Sequence, residues 1–401
     1  MNSAIGRLEA SAAVAASLRS LLPPELLLLV DARFIRLHRL YDEFVHRLVL
    51  RVASESGLEQ SLREPGTPAD IATRAGFAAR QALVPLDWML RHLTVRGLVE
   101  ELPDGAVFRY KAIGPVSVLD PGPMREEQLR HDPSWMPSYD LAETVARDYP
   151  AFLRGEITGE ELLFSPRRLR LWTEYFSNDN GLYAVNNRLG ALAVEQWLPS
   201  SGGAILELGG GLGSGALALL ERLEAVGRLG AIDSYRFTEL VPAFLRRGEQ
   251  ALRARHPSMP RVTFAPLDMN RAFGEQGVAA GSLSIVYAVN TLHVAHDLGF
   301  TLGEVLRALA PGGRLVVSEC VRSHPRQPIE AEFVFNLTET FRSPRLHPLY
   351  RPTGGFLTPG HWKQAMEAAG FAEIRFLPDI VRVHEQAPQF IAAAIGATRP
   401  P

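Results

Sequence analysis

Ala204-Ile205-Leu206-Glu207-Leu208-Gly209-Gly210-Gly211-Leu212-Gly213-Ser214-Gly215 decides the fold. An apolar run leads into a glycine turn, and the turn opens a helical run, Ala216–Leu223. Glycines let the backbone turn sharply and lie close to a ligand, because no Cβ intervenes. Strand, turn and helix in that order aim helix N–H groups at whatever sits there. The register narrows the choice of ligand. A dinucleotide fingerprint G-x-G-x-x-G begun at Gly209 needs Gly or Ala at 214, where Ser214 stands. Gly213-x-Gly215-x-x-Ala218 satisfies the pattern but lies too far into the helix. Glu207, two residues before the first glycine, suits a cationic ligand better than a pyrophosphate. A purely structural βα turn is the bland alternative.

Downstream the pattern alternates. Strands are expected at Ala204–Leu208, Ser234–Leu240, Arg261–Pro266, Leu283–Val289, Gly313–Glu319, Ala372–Leu377 and near Gln389–Ile395, with helices between them. Such alternation predicts a mostly parallel sheet covered on both faces, an α/β fold. Glu239 ends the second strand, where a carboxylate can accept both hydroxyls of a ribose. The fourth strand ends at Val289-Asn290 and is followed by Thr291-Leu292-His293, and the fifth ends at Glu319. His293 and Glu319 therefore stand on strand tips at the edge where open α/β sheets bind ligands. Histidine, with an unperturbed pKa of about 6.5, suits proton removal. A carboxylate on its other ring nitrogen would fix the tautomer and stabilise the imidazolium.

The spacing Glu207-x-Gly209-x-Gly211-x-Gly213 resembles motif I of the class I S-adenosylmethionine (SAM) methyltransferases. That resemblance implies a seven-stranded Rossmann-like sheet, SAM as cofactor and S-adenosylhomocysteine as product. It assigns Glu207, Gly209, Gly211, Gly213, Glu239, Asp268, Met269 and Asn290 to the cofactor, with Asp268 accepting from the adenine amino group and Met269 against the ring. Leu292-His293 and the L-x-P-G-G-x-L element Leu309–Leu315 are most similar to the C-methyltransferase domains of polyketide synthases. In those domains a strand-four histidine and a strand-five acid act as a dyad, which places His293 and Glu319 in that role here. The resemblance covers residues 172–322 well.

The N-terminal part has a different pattern. Arg36–Ser54 sets Leu37, Leu40, Tyr41, Phe44, Leu48 and Val52 on one helical stripe, which packs inside the domain or pairs with a second subunit. Thr67-Pro68 reads as N-cap and first helical residue. A second helix, Arg80–Arg96, and a ribbon turning at Pro103-Asp104-Gly105 follow. This order resembles the winged-helix-like N-terminal domain of small-molecule O-methyltransferases, which implies homodimerisation and residues lent to a substrate pocket. DNA binding is not expected: residues 67–111 carry six Lys/Arg and five Asp/Glu. Residues 113–165 read as a turn-rich linker and partial lid. Pro166–Arg170 reads as a solvated basic face, or as a contact for an acidic substrate group or carrier protein. The expected division is 1–165, helical, and 166–401, cofactor-binding.

Composition bounds the rest. The chain has 401 residues, 46% hydrophobic and 21% charged, with net charge −2. That describes a globular protein of two domains with no general attraction to nucleic acid or to an anionic membrane. Cys320 is the single cysteine, which excludes an internal disulfide framework and a cysteine-based zinc site. No metal-ligand cluster is evident. The stretch Leu21–Val30 is broken by Pro23, Pro24 and Glu25, so it does not read as a membrane span. No signal-peptide pattern is seen at the N-terminus, and a cytoplasmic setting is expected. Tyr175, Tyr183 and Asn187 upstream of the first strand, and Phe333 and Asn336 in the long segment Val321–Pro359, are the candidate substrate contacts. The expected reaction is O-methylation of a small apolar specialised metabolite of polyketide type, with His293 as general base. The alternatives are carbon methylation at an activated carbon, and a SAM-binding cyclase or regulator that transfers no methyl.

Overall fold

The computed structural model describes residues 13–105, 107–199, 202–257 and 261–401. The expectation about a signal peptide falls largely on residues 1–12, outside the described residues. The chain divides into two compact units. One comprises residues 1–32, 176–325 and 344–401, the other residues 33–175 and 326–343. A single cut near residue 165 does not express this division, because the chain crosses back.

The unit containing 33–175 is helical. Helix α1 (Ala32–Glu55) buries Leu37, Tyr41, Phe44, Leu48 and Val52. Most of its apolar stripe is thus spent on this unit's own core, and Leu40 of the stripe is half-buried. Helix α2 (Pro68–Arg74) starts with a reciprocal capping box between Thr67 and Asp70, with Pro68 in the first turn. Helix α3 (Ala79–Val95) buries Leu86, Trp88, Met89, Leu90 and Leu93. Strands β1 (Val99–Asp104) and β2 (Val107–Ala112) pair antiparallel, Val99 opposite Ala112. Residues 113–165, expected as linker, are instead mostly helix: Gly122–His131, α4 (Met136–Leu153) and Gly159–Phe164. Residues 326–343 bring Phe333 into this unit's core, stacked on Tyr149 at 4.9 Å between ring centroids. Trp88 donates its indole N–H to the Ile329 carbonyl at 3.1 Å.

The other unit carries a seven-stranded sheet. Its strands are β3 (Gly203–Leu208), β4 (Ile232–Thr238), β5 (Val262–Ala265), β6 (Leu283–Val289), β7 (Leu309–Cys320), β8 (Ala372–Leu377) and β9 (Ala392–Thr398). Their order is β5-β4-β3-β6-β7-β9-β8, all parallel except β9, which runs antiparallel to β7 and β8. The central strands are nearly continuous apolar runs, as burial on both faces requires. Helices α5 (Ala184–Trp197) and α6 (Ser214–Ala225) pack on each other and on the sheet. Chain order reverses at β3, which has β4 on one side and β6 on the other. That switch point opens a crevice beyond the carboxyl ends of the strands, the place where such sheets bind ligands. Among the described residues no helix is long and apolar enough to cross a membrane.

Candidate active site

The site lies within the sheet-bearing unit, at the carboxyl ends of β3, β4, β6 and β7. The glycine turn after β3 is fixed from both sides. Gly210 N–H donates to the Thr238 carbonyl at 2.8 Å, and a Cβ on Gly210 would lie 2.2 Å from the Phe237 ring. Gly209 has φ +60°, and a Cβ there would press on Thr291 at 2.4 Å. Gly211, at φ +57°, differs: its Cβ would meet no protein atom within 4 Å. At Gly211 the space is therefore left open, whereas at Gly209 and Gly210 the chain itself fills it. Gly213 forms the N-terminal boundary of α6, also with positive φ.

The acids of the site differ in environment. Glu207 is 1% exposed, and Tyr235 donates its hydroxyl to Oε2 at 2.8 Å. Burial pushes the Glu207 carboxyl up to about 8. Glu239 accepts from Gly211 N–H at 2.9 Å and from Val241 N–H at 2.8 Å. Burial raises its carboxyl above the usual range, and those backbone bonds oppose the rise. Neither acid forms an ion pair with Lys or Arg among the described residues. Asp268 is half-buried, accepts from Asn270 N–H at 2.9 Å, and is buttressed by Gln276, which accepts from its backbone N–H. The Met269 carbonyl accepts from Thr301 at 3.0 Å.

The His293–Glu319 pair is organised by parallel pairing. Strands β6 and β7 run side by side with Val289 opposite Ser318, so the next residues, Asn290 and Glu319, stand together at the edge. Asn290 adopts φ +48°, a left-handed conformation that Asn tolerates better than most residues. Its Oδ1 accepts from Asn186 at 2.7 Å and from Cys320 N–H at 3.2 Å. After this kink the chain makes one 3-10 turn, Leu292–Val294. Glu319 Oε1 accepts the backbone N–H groups of Thr291, Leu292 and His293 at 3.1, 2.9 and 3.3 Å. Its Oε2 lies 2.6 Å from His293 Nδ1. Glu319 is fully buried and His293 is 4% exposed. Phe356 packs on the imidazole, centroid to centroid 4.6 Å.

The remaining expected contacts divide between the units. Tyr183 and Asn187 belong to the sheet-bearing unit. Asn187 donates to Asn178 Oδ1 at 2.8 Å, Asn178 donates to the Ser214 carbonyl at the start of α6, and Asn187 Oδ1 is buried with no acceptor bond made. Tyr175, Phe333 and Asn336 belong to the helical unit, Phe333 fully buried among aromatic rings and Tyr175 edge-on to Trp172 and Phe335. In Pro166–Arg170, Arg168 pairs with Asp148 and Arg170 with Glu174. Asn178, Asn186 and Thr291 join the site as well. Their amide and hydroxyl chemistry was visible, but their partners are backbone groups and other amides brought near only by the fold. No group of three metal-ligating side chains occurs among the described residues.

These features fit SAM. Open space beside Gly211, two buried carboxylates without a cation and an unsatisfied amide oxygen favour a ligand that is positively charged and rich in donors. They oppose a pyrophosphate. The comparisons agree. Residues 206–315 match the family described as "Methyltransferase domain". The reducing polyketide synthase Preu2 of Preussia isomera is 31% identical over 186 residues, 46% of this chain and 7% of that protein. Polyketide synthase PksR of Bacillus subtilis is 27% identical over 260 residues, 63% of this chain and 10% of that protein. The chain thus spans a tenth or less of these relatives' length. Among solved structures, the CurJ carbon methyltransferase aligns with TM-score 0.77 and 22% identity over 98% of this chain and 99% of its own. The DszA carbon methyltransferase aligns with TM-score 0.70 and 22% identity over 97% and 95%. Motif, strand order and matched family together identify a class I SAM-dependent methyltransferase domain in this chain.

Proposed function

We propose that this chain transfers a methyl group from SAM to an activated carbon of a polyketide-type acyl chain, presented as a thioester. The observation that carries this reading is the buried His293–Glu319 pair at the strand edge, 2.6 Å apart, in a chain whose relatives are polyketide synthases. The CurJ and DszA carbon methyltransferases, whose folds this chain shares, support carbon over oxygen as acceptor. O-methylation, expected from the resemblance of the N-terminal part, is the second reading, and it would use the same base.

Gly209, Gly211, Gly213, Glu239, Asp268, Met269 and Asn290 would hold SAM. When bound, SAM supplies a methyl group already activated by its sulfonium. The protein's own task is the acceptor proton. Glu319 holds Nδ1 of His293, so the proton-accepting atom is Nε2. Nε2 takes the proton from the carbon between two carbonyl groups, and the bonding pair stays on the acceptor as an enolate. Glu319 stabilises the imidazolium so formed. The test is methylation of a 3-oxobutyryl thioester of N-acetylcysteamine by the parent and by His293→Ala. A positioned general base contributes about 10²–10⁴-fold, so the variant loses that much in kcat while its affinity for SAM, measured by calorimetry, is retained. Full activity in His293→Ala would overturn the base assignment.

A further inference from the structure

We infer that Arg351 is a positioning residue for the base: with Glu319 it clamps the single 3-10 turn that carries His293 from opposite ends. The inference rests on the reading of His293 as the base, but its own evidence is separate. Arg351 is fully buried. Its Nη2 donates to the His293 carbonyl at 2.7 Å, and its Nη1 donates to the Ala295 carbonyl. Glu319 Oε1 meanwhile collects the three N–H groups that begin the same turn. A carboxylate therefore holds the start of the turn and a guanidinium its end. The imidazole between them is fixed through its own backbone as well as through Nδ1.

The arrangement exceeds what backbone satisfaction needs. Two carbonyls require two donors, which a neutral amide or a water can supply. Here a cation is buried with no carboxylate in ion-pair contact among the described residues, and its Nε–H has no acceptor. Burying a charge on carbonyls alone is costly. The rigid planar fork of arginine offers something in return: two donors at fixed separation, spanning carbonyls two residues apart.

Arg351 is itself held rigidly. Its backbone pairs with that of His347 through two bonds of 2.9 Å. The rings of His347 and Tyr350 stack at 3.8 Å and 9°. Upstream, Arg345 N–H donates to the His296 carbonyl at 2.7 Å, and its side chain pairs with Asp297 at 2.7 Å. Residues 344–351 thus form a strap over the loop 291–297, with Arg351 reaching down through it. A displacement of about 1 Å at a reacting group can cost 10²-fold, so loss of the clamp is visible in turnover.

Two measurements on the intact chain test this. The first compares Arg351→Gln and Arg351→Lys with the parent on the 3-oxobutyryl thioester. Arg351→Gln lowers kcat by about 10- to 100-fold with KM little changed, and Arg351→Lys, which keeps charge but not the fork, falls between. In a His293→Ala background Arg351→Gln costs nothing further, because it acts only through the imidazole. The second measurement, hydrogen exchange, needs no acceptor. The peptide spanning 291–297 exchanges at least about tenfold faster in Arg351→Gln, while the β7 peptide 309–320 is unchanged. Where His293→Ala is impaired, unchanged kcat in Arg351→Gln or an equal loss with and without His293 would overturn the clamp; unchanged exchange of the 291–297 peptide, or uniform acceleration across the sheet, would overturn it in every case. If His293→Ala keeps full activity while the 291–297 peptide loosens in Arg351→Gln, the base reading falls and the clamp stands. If His293→Ala is crippled and Arg351→Gln is not, the clamp falls alone.

Discussion

At the scale of single residues, Glu319 has two jobs that a glutamine cannot perform together. One oxygen accepts three backbone N–H groups and the other faces His293 Nδ1. In Glu319→Gln the amide NH₂ cannot face three N–H donors, so it must turn toward Nδ1. The imidazole then carries its proton on Nε2, the wrong nitrogen for a base. Glu319→Gln is therefore expected to cost nearly as much as His293→Ala, about 10²–10⁴-fold in kcat, with SAM affinity intact. Single-turnover methylation followed across pH checks this, and activity close to the parent's would contradict it. The contact between His293 and Glu319 was legible in the sequence because both residues follow or end apolar runs, and adjacent parallel strands bring their tips together. Arg351 was not legible. Its acceptors are backbone carbonyls, one of them 58 residues away in the chain, and a carbonyl leaves no mark on residue type.

At the scale of elements, the strand–turn–helix unit at β3 is the proposed cofactor site. Gly211→Val places a branched side chain in the open space and strains a backbone at φ +57°. Calorimetry should show SAM binding weakened by at least about 100-fold, roughly 3 kcal/mol, with the melting temperature of the sheet-bearing unit changed far less. Binding at parental strength would contradict the site. The strands were legible, since runs such as Leu283–Val289 are short, apolar and rich in β-branched residues. The helices of 113–165 were not, and the reason is physical. The segment is rich in turn residues, yet Pro123, Pro133 and Pro137 lie in first turns, where the missing N–H costs nothing, and α4 continues through Pro150. The apolar content of α4 then decided the matter, burying Tyr139, Leu141, Val145 and Tyr149. The stripe of α1 was legible as a stripe but ambiguous in use, because periodicity cannot tell an internal core from a subunit interface.

At the scale of the whole molecule, the helical unit contains a buried pair of histidines, His46 Nδ1 and His92 Nε2 at 3.2 Å. Burial, then the nearby Arg96, lowers His46 from its usual 6.5 to about 4, and burial holds His92 well below its usual range. The native pair binds fewer protons than the unfolded chain between about pH 6.5 and 4. Stability must therefore fall as pH drops through that window. For His46 the loss is about 1–2 kcal/mol, once the full shift is discounted for partial solvent screening. Urea midpoints at pH 7 and pH 5 should show the decline in the parent and a shallower one in His46→Gln; identical declines would refute it. That two units interleave along the chain was not legible, because residues 326–343 carry apolar side chains suited equally to either core. The proposed chemistry is carbon methylation at an activated acyl thioester. The most direct test supplies SAM labelled with ¹³C in its methyl group, together with the 3-oxobutyryl thioester, and locates the label in the product by NMR. The account predicts the label on the carbon between the two carbonyls; label on oxygen, as an enol methyl ether, would contradict it.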